Sequence, residues 1–335
     1  MTNWDIEYLK LCKKILEEGK RVENRTGVDT IKIPSYFFNL DLEEEFPVLT
    51  TKQLYFRQAI LEMLWIYQVQ SNDVRWLQDR GVNIWDEWEI GEDGAWRAIQ
   101  NVFTDGKYEK KEVVKDFGVD YAHTIGTAYG FIAKKFGLTQ KLIEQLKTNP
   151  LDRRMMMSLW QNDYLDTAVL PSCVWSSEWD VTDGKLNALV HQRSCDVPLG
   201  LPFNVTQYAA LLSMLAHVTN LKAGNLSWSI KDAHIYVNQI EGIKEQLKRG
   251  AKFIERQKEI ESLSKEKLIK LRENLKEIKT LDDRIDDMIL NPSKPELWLN
   301  PQITDFFKFD NSRDIKDIKV KNYKHMGPIK FPIAQ

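Results

Sequence analysis

The segment from Leu170 to Tyr236 constrains the fold more than any other part of this sequence. It contains two runs of strand-forming residues joined through Asp183-Gly184, a dipeptide typical of a two-residue hairpin turn. A strongly apolar helical stretch follows, and then an alternating strand. The predicted elements are strands at 176–181 and 185–190, a helix at 207–219 and a strand at 227–236.

The remainder of the chain alternates helical and strand-like stretches, apart from two segments of unusual composition. Residues 89–124 are polar without a clear period, so we expect a long surface loop or an insertion. Residues 241–290 are rich in both charges, with Leu and Ile at helical spacing, which predicts a charged amphipathic helix or helical hairpin. We favour packing on its own domain over a coiled-coil partner surface, because the apolar repeat is short. The other predicted elements are helices at 3–19 (with Asn3 as N-cap), 53–80 and 137–149, and strands at 31–42 and 155–160.

Composition argues against several classes of function. The 47 basic and 49 acidic residues give a net charge of -2, which is unlike a broad nucleic-acid surface or a polybasic membrane patch. No apolar run approaches the roughly 18 residues of a membrane span, and the N-terminus lacks the order of a secretory signal. Cys12, Cys173 and Cys195 are too few and too irregularly spaced for a disulfide framework or a zinc site. We therefore expect a cytoplasmic protein without a metal.

Cys173 is the first candidate for chemistry. Its neighbours Ser172, Val174 and Trp175 favour an inert core thiol. A reactive cysteine instead needs a thiolate, and a thiolate needs nearby positive charge. The predicted hairpin returns the chain beside Cys173 and brings Arg193 within reach, so a nucleophile and an inert thiol remain equal alternatives.

Four arginines stand at turns or strand ends, where the guanidinium fork suits the oxygens of a phosphate. Arg25 lies in a turn that contains glycine, and Arg193 is followed by the hydroxyl of Ser194. Arg153 and Arg154 precede a strand, but adjacent residues on a strand point to opposite faces and would not normally serve one site. Each arginine taken alone is more typical of a surface charge.

Four further polar residues are candidates for ligand contacts. Asn204 precedes the apolar helix, where capping is the ordinary role, although its amide also matches the N3–H and O4 of uracil. His234 and Tyr236 alternate along a predicted strand and therefore share one face. Glu62 lies among apolar neighbours in a predicted helix, as a half-buried carboxylate or as a group for proton transfer.

Short sequence strings form one ordered set along nearly the whole chain. They are NRTG (24–27), FPVLTTK (46–52), Glu62 with Trp65, IWDEW (84–88), GTAYG (126–130), DRRMMMSLW (152–160), LPSC (170–173), QRSCDVPLGLPFN (192–204), DAHIY (232–236) and KFPIAQ (330–335). The set resembles the thymidylate synthase family, and QRSCDVPLGLPFN is its most specific member. The resemblance implies an α+β fold, in which a large mixed β-sheet is covered by helices and packed sheet-to-sheet in a homodimer. It also implies a single domain over residues 1–335, with 241–290 as an enlarged insertion.

The resemblance implies a role for each candidate at the nucleotide dUMP. Cys173 is implied to be the nucleophile that adds to C6 of the uracil ring, and Arg193 is implied among the catalytic residues. Glu62 and Tyr129 are implied in proton transfer, and Asn204 in catalysis and in recognition of the uracil edge. The other implied dUMP contacts are Arg25, Arg193 and Ser194 to the phosphate, His234 and Tyr236 to the sugar hydroxyl, and Arg153 and Arg154 to the phosphate from the second subunit. Gln192 is also implied to bind dUMP.

The resemblance also implies 5,10-methylenetetrahydrofolate as co-substrate, with dihydrofolate as its product. Asp196 is implied to contact the pterin and to take part in catalysis. Trp85 and Trp88 are implied to pack around the folate, and Lys52 to lie near its glutamyl tail. No metal is implied.

The chain departs from the family pattern at several positions. Val174 stands where His is usual, which removes any hydrogen-bond network through that residue. Glu178 replaces a usual Gln, Gln207 a small residue and Gln335 an aliphatic one. A dUMP hydroxymethylase, which adds water instead of hydride, is the alternative function. Trp85 and the C-terminal tail favour hydride transfer, because both help to keep water off the reacting group.

Two other interpretations are disfavoured by particular residues. A dCMP-specific hydroxymethylase is expected to carry Asp in place of Asn204. A binding protein on a retired enzyme scaffold would have no need to retain Cys173, Arg193, Glu62 and Tyr129 together.

Overall fold

A mixed β-sheet lies at the centre of the fold. The structure, a computed structural model, describes residues 1–275 and 277–333, with Asn274 described by its backbone alone, so Gln335 lies outside the described residues. The strands are β1 (Lys20–Val22), β2 (Thr30–Asp41), β3 (Ala95–Thr104), β4 (Lys107–Asp116), β5 (Met156–Ser158), β6 (Val174–Thr182), β7 (Lys185–Gln192), β8 (Cys195–Asp196), β9 (Lys222–Tyr236), β10 (Glu296–Leu299) and β11 (Ile318–Lys321). The central sheet has the order β1-β2-β9-β7-β6-β5, with β8 paired to β9. β7 and β8 run parallel to β9, and the mixed sheet with its helices confirms the α+β class.

The helices pack on this sheet and on one another. They are α1 (Asn3–Glu18), α2 (Phe56–Leu64), α3 (Arg75–Gln78), α4 (Gly130–Phe136), α5 (Leu138–Thr148), α6 (Gly200–Val218), α7 (Ile240–Glu261), α8 (Lys265–Asn274) and α9 (Leu281–Leu290). Thr2, rather than Asn3, caps α1 in a capping box with Asp5. α6 begins earlier than predicted, so Asn204 lies inside this helix and does not cap it. No helix among the described residues has the length and apolar character needed to cross a membrane.

The predicted hairpin between β6 and β7 is confirmed. Thr182 pairs with Lys185, and the two turn residues Asp183 and Gly184 have φ of 51° and 73°. Positive φ at both positions is what a tight hairpin turn requires, which explains the Asp-Gly pair. β6 and β7 therefore run side by side, and the beginning of β6 lies next to the end of β7.

The single long helix predicted for residues 53–80 is wrong. α2 is followed by a π-helical turn at Trp65–Val69, and Gln70 then adopts a left-handed conformation with φ of 56°. Another segment crosses at this point, since a Cβ added to Gly130 would lie 1.9 Å from the carbonyl oxygen of Ser71. The helix ends because of this tertiary contact, which local periodicity does not reveal.

β3 and β4 form a hairpin within residues 89–124, the segment that we expected to be a long surface loop or an insertion. Its turn, Asp105-Gly106, has φ of 50° and 84° and repeats the chemistry of the first hairpin. The backbone N–H of Asn101 donates to the carbonyl oxygen of Arg25 at 2.6 Å. The hairpin therefore rests against the turn that carries Arg25.

The charged segment at 241–290 forms α7, α8 and α9. Ile243, Phe253 and Ile260 of α7 are buried, and α7 packs against α1 and α9. The Arg256 guanidinium joins α7 to α9 by donating to both carboxylate oxygens of Asp286, at 2.7 and 2.9 Å. The segment therefore packs on its own chain, as the sequence favoured.

Candidate active site

A cavity of about 170 Å³ brings together side chains that the sequence predicted separately. A second and larger cavity, of about 650 Å³, lies between the N-terminus and helices α7 to α9, but none of the predicted site residues lines it. We therefore take the smaller cavity as the candidate active site. Its predicted lining residues are Glu62, Trp85, Tyr129, Cys173, Gln192, Ser194, Asp196 and Asn204, and they are joined by Met63, Ile66, Tyr67, Val174, Gly200, Gln207 and Tyr208.

Cys173 lies immediately before β6 and is partly buried. Its Sγ is 3.9 Å from Nη2 of Arg193, whose guanidinium also donates to the carbonyl oxygens of Pro171 at 2.6 Å and Ser172 at 3.1 Å. Burial raises the pKa of the Cys173 thiol, whereas the charge of Arg193 and then that of Arg25 act to lower it. Arg193 therefore holds the turn before β6 and stabilises a thiolate at the same point.

Tyr129 is held next to Cys173 by a strained backbone. It precedes α4 with φ of 46° and ψ of -103°, a conformation that side-chain-bearing residues rarely adopt. Its hydroxyl oxygen accepts the backbone N–H of Cys173 at 3.0 Å. Burial raises the pKa of Tyr129 well above its ordinary value, and the nearby Cys173 adds to this shift. The hydroxyl is therefore protonated at neutral pH and lies beside the candidate nucleophile.

Glu62 is a buried carboxyl group with both oxygens occupied. Nε1 of Trp85 donates to Oε1 at 2.8 Å, and Nε2 of Gln207 donates to Oε2 at 2.5 Å. Burial raises the pKa of Glu62, while the hydrogen bonds from Trp85 and Gln207 act in the opposite direction. Trp85 also packs edge-on against Tyr129 and Trp88, with ring centroids 5.3 and 5.5 Å apart.

Asn204 belongs to a row of side-chain amides along the cavity wall. Gln192 Nε2 donates to Asn204 Oδ1 at 3.2 Å, and Asn204 Nδ2 donates to Gln207 Oε1 at 3.2 Å. Nε1 of Trp228 donates to Gln192 Oε1 at 3.0 Å. Sequence reasoning noticed Gln207 only as a departure and missed Trp228. The available signal was the spacing of Asn204 and Gln207, three residues apart on one helix face.

His234, Tyr236 and Asp196 meet at the edge formed by β8 and β9. The rings of His234 and Tyr236 are 5.2 Å apart, as expected for residues on one strand face, and burial raises the pKa of Tyr236 to about 12. Asp196 accepts the N–H of Leu199 and Nε2 of Gln239, both at 3.2 Å. Burial raises the pKa of Asp196, against the opposing charge of His234.

The C-terminal tail reaches the same side of the site. Gln239, which holds Asp196, also donates to the carbonyl oxygen of Pro332 at 3.1 Å. Lys52 is buried, and its Nζ lies 4.6 Å from the ring centroid of Phe331. Burial lowers the pKa of Lys52 to about 8. The tail is thus held against the residues that surround the cavity.

The arginines expected at the phosphate are not assembled within one chain. Arg25 is exposed in its turn, and Arg153 and Arg154 are exposed just before β5. Arg154 Nε donates to Asp152 at 2.9 Å, with 84% of the arginine side chain exposed. None of the three lines the cavity, and only Arg193 lies beside the candidate nucleophile.

Comparison with known proteins gives one consistent result. A sequence model described as thymidylate synthase matches residues 6–289. A thymidylate synthase of Clostridium beijerinckii is 41% identical over 334 residues and covers 100% of both chains, and one of Bacillus phage phi3T is 32% identical over 352 residues with the same coverage. The solved structure of thermostable thymidylate synthase A from Bacillus subtilis superposes with a TM-score of 0.73, at 30% identity and 100% coverage of both chains.

Proposed function

The chain belongs to the thymidylate synthase family, and from this premise we propose that it is a methyltransferase that converts dUMP to dTMP by reductive methylation. Its co-substrate, 5,10-methylenetetrahydrofolate, supplies both the one-carbon unit and the hydride and leaves as dihydrofolate. The observation that carries the proposal is the cavity in which Cys173, Asn204 and Glu62 converge.

Cys173 is the proposed nucleophile. Its thiolate adds to C6 of the uracil ring, which makes C5 nucleophilic towards the one-carbon unit. The proximity of Arg193 supports this role, because positive charge stabilises a thiolate against the cost of burial. The other two cysteines, Cys12 and Cys195, have no exposed surface.

Glu62 and Tyr129 are the proposed groups for proton transfer. The proton on C5 must leave before the methyl group is complete, and we assign Tyr129 to this step because its hydroxyl contacts the backbone of Cys173. Since this hydroxyl is protonated, its oxygen accepts the C5 proton as its own proton passes to water. Glu62 lines the same cavity and accepts a hydrogen bond from Gln207 of the amide row. Burial raises its pKa, which makes the protonated form more accessible and suits a group that exchanges protons.

The folate is proposed to bind against the aromatic side of the cavity. Trp85 and Trp88 offer ring surfaces for a pterin, and Asp196 offers a carboxyl group anchored through Gln239. Lys52 completes the proposed folate site next to the tail residue Phe331. These residues fit a flat heterocycle with polar edges, which is the chemistry of a pterin.

We further propose a homodimer in which the central sheet packs against its counterpart. The support is a set of large side chains left open on the sheet, with Phe37 55%, Met156 53% and Trp175 36% exposed. Because Arg153 and Arg154 precede β5 at one edge of this sheet, a second chain would carry their positive charge towards the phosphate of its partner's site. This arrangement removes the objection that adjacent strand residues cannot serve one site.

A product assay tests the proposed reaction. The purified protein with dUMP and 5,10-methylenetetrahydrofolate is expected to form dTMP and dihydrofolate in equal amounts, measured by chromatography and by the absorbance of dihydrofolate. Hydroxymethyl-dUMP with tetrahydrofolate would identify the alternative hydroxymethylase. Omission of the folate is the control, and it is expected to abolish product.

A further inference from the structure

One guanidinium group of α7 holds the start of the C-terminal tail, residues 325–328, which we call the tail root. The guanidinium of Arg249 donates to three carbonyl oxygens of the tail root, those of Met326 at 3.1 Å, Gly327 at 3.2 Å and Pro328 at 3.5 Å. It also donates to the carbonyl oxygen of Thr51 at 3.4 Å, directly before Lys52 in the chain. Arg249 therefore joins the tail root to the segment that carries Lys52.

Arginine is the residue that suits these contacts. Several carbonyl oxygens can share one partner only if it offers several N–H donors, and the guanidinium group presents them in a fixed plane. Nε of Arg249 donates to Glu245, one turn earlier on α7, at 2.9 Å, which leaves the outer nitrogens for the carbonyl groups. The arginine side chain is only 13% exposed, so water competes little for these donors.

The segment before Lys52 is fixed by further buried groups. The carboxylate of Asp5 accepts the backbone N–H of Thr50 at 3.0 Å and that of Thr51 at 2.9 Å. From α7, Nε2 of Gln246 donates to the hydroxyl oxygen of Thr51 at 2.8 Å. This segment is therefore a fixed support against which the tail can be placed.

The tail root pairs with this support through its backbone. The N–H of Met326 donates to the carbonyl oxygen of Thr50 at 2.8 Å, and the N–H of Gln53 donates to that of Gly327 at 2.9 Å. These two hydrogen bonds lie on either side of Lys52 in the chain. Displacement of the tail root would therefore displace Lys52 as well.

Helix α9 adds contacts from the enlarged part of the charged segment at 241–290. Nη1 of Arg284 donates to the carbonyl oxygen of His325 at 3.3 Å. Next to it, Nζ of Lys324 lies 2.8 Å from a carboxylate oxygen of Asp287. The charged segment thus holds the start of the tail from both α7 and α9.

Beyond the tail root, the tail returns to Lys52 along the first turn of α7. A Cβ added to Gly242 would lie 2.5 Å from a ring carbon of Phe331, so glycine allows this close approach. Nζ of Lys52 lies 4.6 Å from the centroid of the same ring. Lys52 and the tail therefore meet on the side of the cavity that is proposed for the folate.

We propose that the charged segment at 241–290 supports the C-terminal tail for folate binding, with Arg249 as the positioning residue that joins the tail root to the Lys52 segment. The inference rests on the proposed function in taking a folate as the ligand of this side. Arg249 does not line the cavity and acts through Lys52 and the tail. Its loss should therefore weaken the binding of folate and spare that of dUMP.

The Arg249→Gln variant tests this inference, because one amide cannot serve several carbonyl oxygens. We expect the KM for 5,10-methylenetetrahydrofolate to rise about tenfold, while kcat changes less than about threefold. The dissociation constant of dUMP should stay within about twofold of the wild type. Arg249→Lys keeps the charge and several donors without the planar fork, so its KM should lie between those of the wild type and Arg249→Gln.

Arg80→Gln is the matched control. The Arg80 guanidinium also donates to backbone carbonyl oxygens, those of Asn311 at 2.7 Å and Trp76 at 2.9 Å, and it lies outside the cavity. Its KM for the folate is expected to equal that of the wild type. Thermal unfolding of both variants shows whether each protein is folded.

Limited digestion with trypsin follows the tail without any turnover. Lys330 is exposed, and cleavage after it releases the residues from Phe331 onwards. We expect this cleavage, measured by mass spectrometry, to be about tenfold faster in Arg249→Gln than in the wild type or Arg80→Gln. Cleavage after the exposed Lys110, in the β3–β4 hairpin, should keep its rate and is the internal control.

Each outcome supports or overturns the inference. A folded Arg249→Gln protein whose folate KM stays within about twofold of the wild type overturns it, as does an equal rise in Arg80→Gln or an unchanged cleavage rate after Lys330. If Arg249→Gln loses cooperative thermal unfolding, Arg249→Lys is judged by the same criteria. A wild-type protein that forms no dTMP contradicts the proposed reaction alone, and the dissociation constant of tetrahydrofolate, measured with dUMP present, then takes the place of KM.

Discussion

The two ends of the proposed nucleotide site are built differently. At the base end, Cys173, Asn204 and Glu62 line one cavity of one chain, and their polar atoms are already hydrogen-bonded. At the phosphate end, Arg25 and Arg154 are exposed and stand outside that cavity. The base end is organised before the substrate arrives, whereas the phosphate end is completed by the ligand and, as proposed, by a second subunit.

The difference has an electrostatic cause. Neutral amides can be buried at modest cost when they bond one another, so the base end tolerates full assembly in the free protein. Several guanidinium groups gathered without an anion would repel each other and lose their hydration. Arg154 instead remains in water and bonds Asp152, and we expect this ion pair to open when a phosphate binds. Substitutions at the base end should therefore lower turnover, and substitutions at the phosphate end should weaken the binding of dUMP.

The largest effect is expected at the base end. Cys173→Ser should lower turnover at least about a thousandfold, because the hydroxyl is a far weaker nucleophile than the thiolate. The binding of dUMP should persist, since the amide row and the arginines are intact. Steady-state dihydrofolate formation and dUMP titration measure the two quantities. Cys12→Ala, at a buried position on α1, is the control, and near-normal turnover in Cys173→Ser would contradict the nucleophile role.

At the phosphate end, the paired change Arg153→Ala with Arg154→Ala should raise the dissociation constant of dUMP about 10- to 100-fold. The measurement is a dUMP titration, with an uncharged deoxyuridine titration as control, because a nucleoside without phosphate should lose no affinity.

Mixing this double variant with Cys173→Ser protein tests the second subunit. In a heterodimer, one site combines an intact Cys173 with intact arginines from the partner. At a dUMP concentration that leaves the double variant's own sites nearly empty, a one-to-one mixture should therefore recover about a quarter of wild-type turnover. Subunit exchange without any recovered turnover would mean that the arginines act within their own chain.

The sequence predicted the features that have a local signal and missed those that depend on contacts between distant segments. The β6–β7 hairpin carries its turn signal in Asp183-Gly184, and the specific string at 192–204 identified the base end. The break near Gln70 depends on the distant Gly130, and local periodicity missed it. The β3–β4 hairpin had its own Asp-Gly signal at 105–106, but its polar strands hid the alternation. Likewise, no local pattern connects Gln207 to Glu62, because their contact joins two helices.

Arg193 and Arg25 both lower the pKa of the Cys173 thiol, so the effects of the two arginines can be compared at this one group. Arg193→Gln removes the larger of the two charges that lower the pKa of Cys173, so the pKa should rise. When the pH is below the pKa, each unit by which the pKa rises lowers the fraction of thiolate. Alkylation of Cys173 by iodoacetamide at pH 7 should therefore slow about tenfold or more. Arg193→Lys keeps the charge and is the control. An equal or larger effect of Arg25→Gln would contradict the inference that Arg193 is the main source of positive charge at Cys173.

The smallest expected effect concerns the hydrogen bond from Trp85 to Glu62. Trp85→Phe keeps the aromatic wall but removes the N–H that donates to Oε1 at 2.8 Å. That donor favours the ionised carboxylate, so its loss should raise the already elevated pKa of Glu62 further. Whether turnover needs the ionised or the protonated carboxyl group, the limb of the pH profile that Glu62 controls should move to higher pH. The affinity for dUMP should stay unchanged, because Trp85 contacts neither Asn204 nor an arginine that the proposal places at the phosphate. Trp76→Phe, on α3 outside the cavity, is the control, and a shift to lower pH in Trp85→Phe would show that this hydrogen bond does not stabilise the carboxylate.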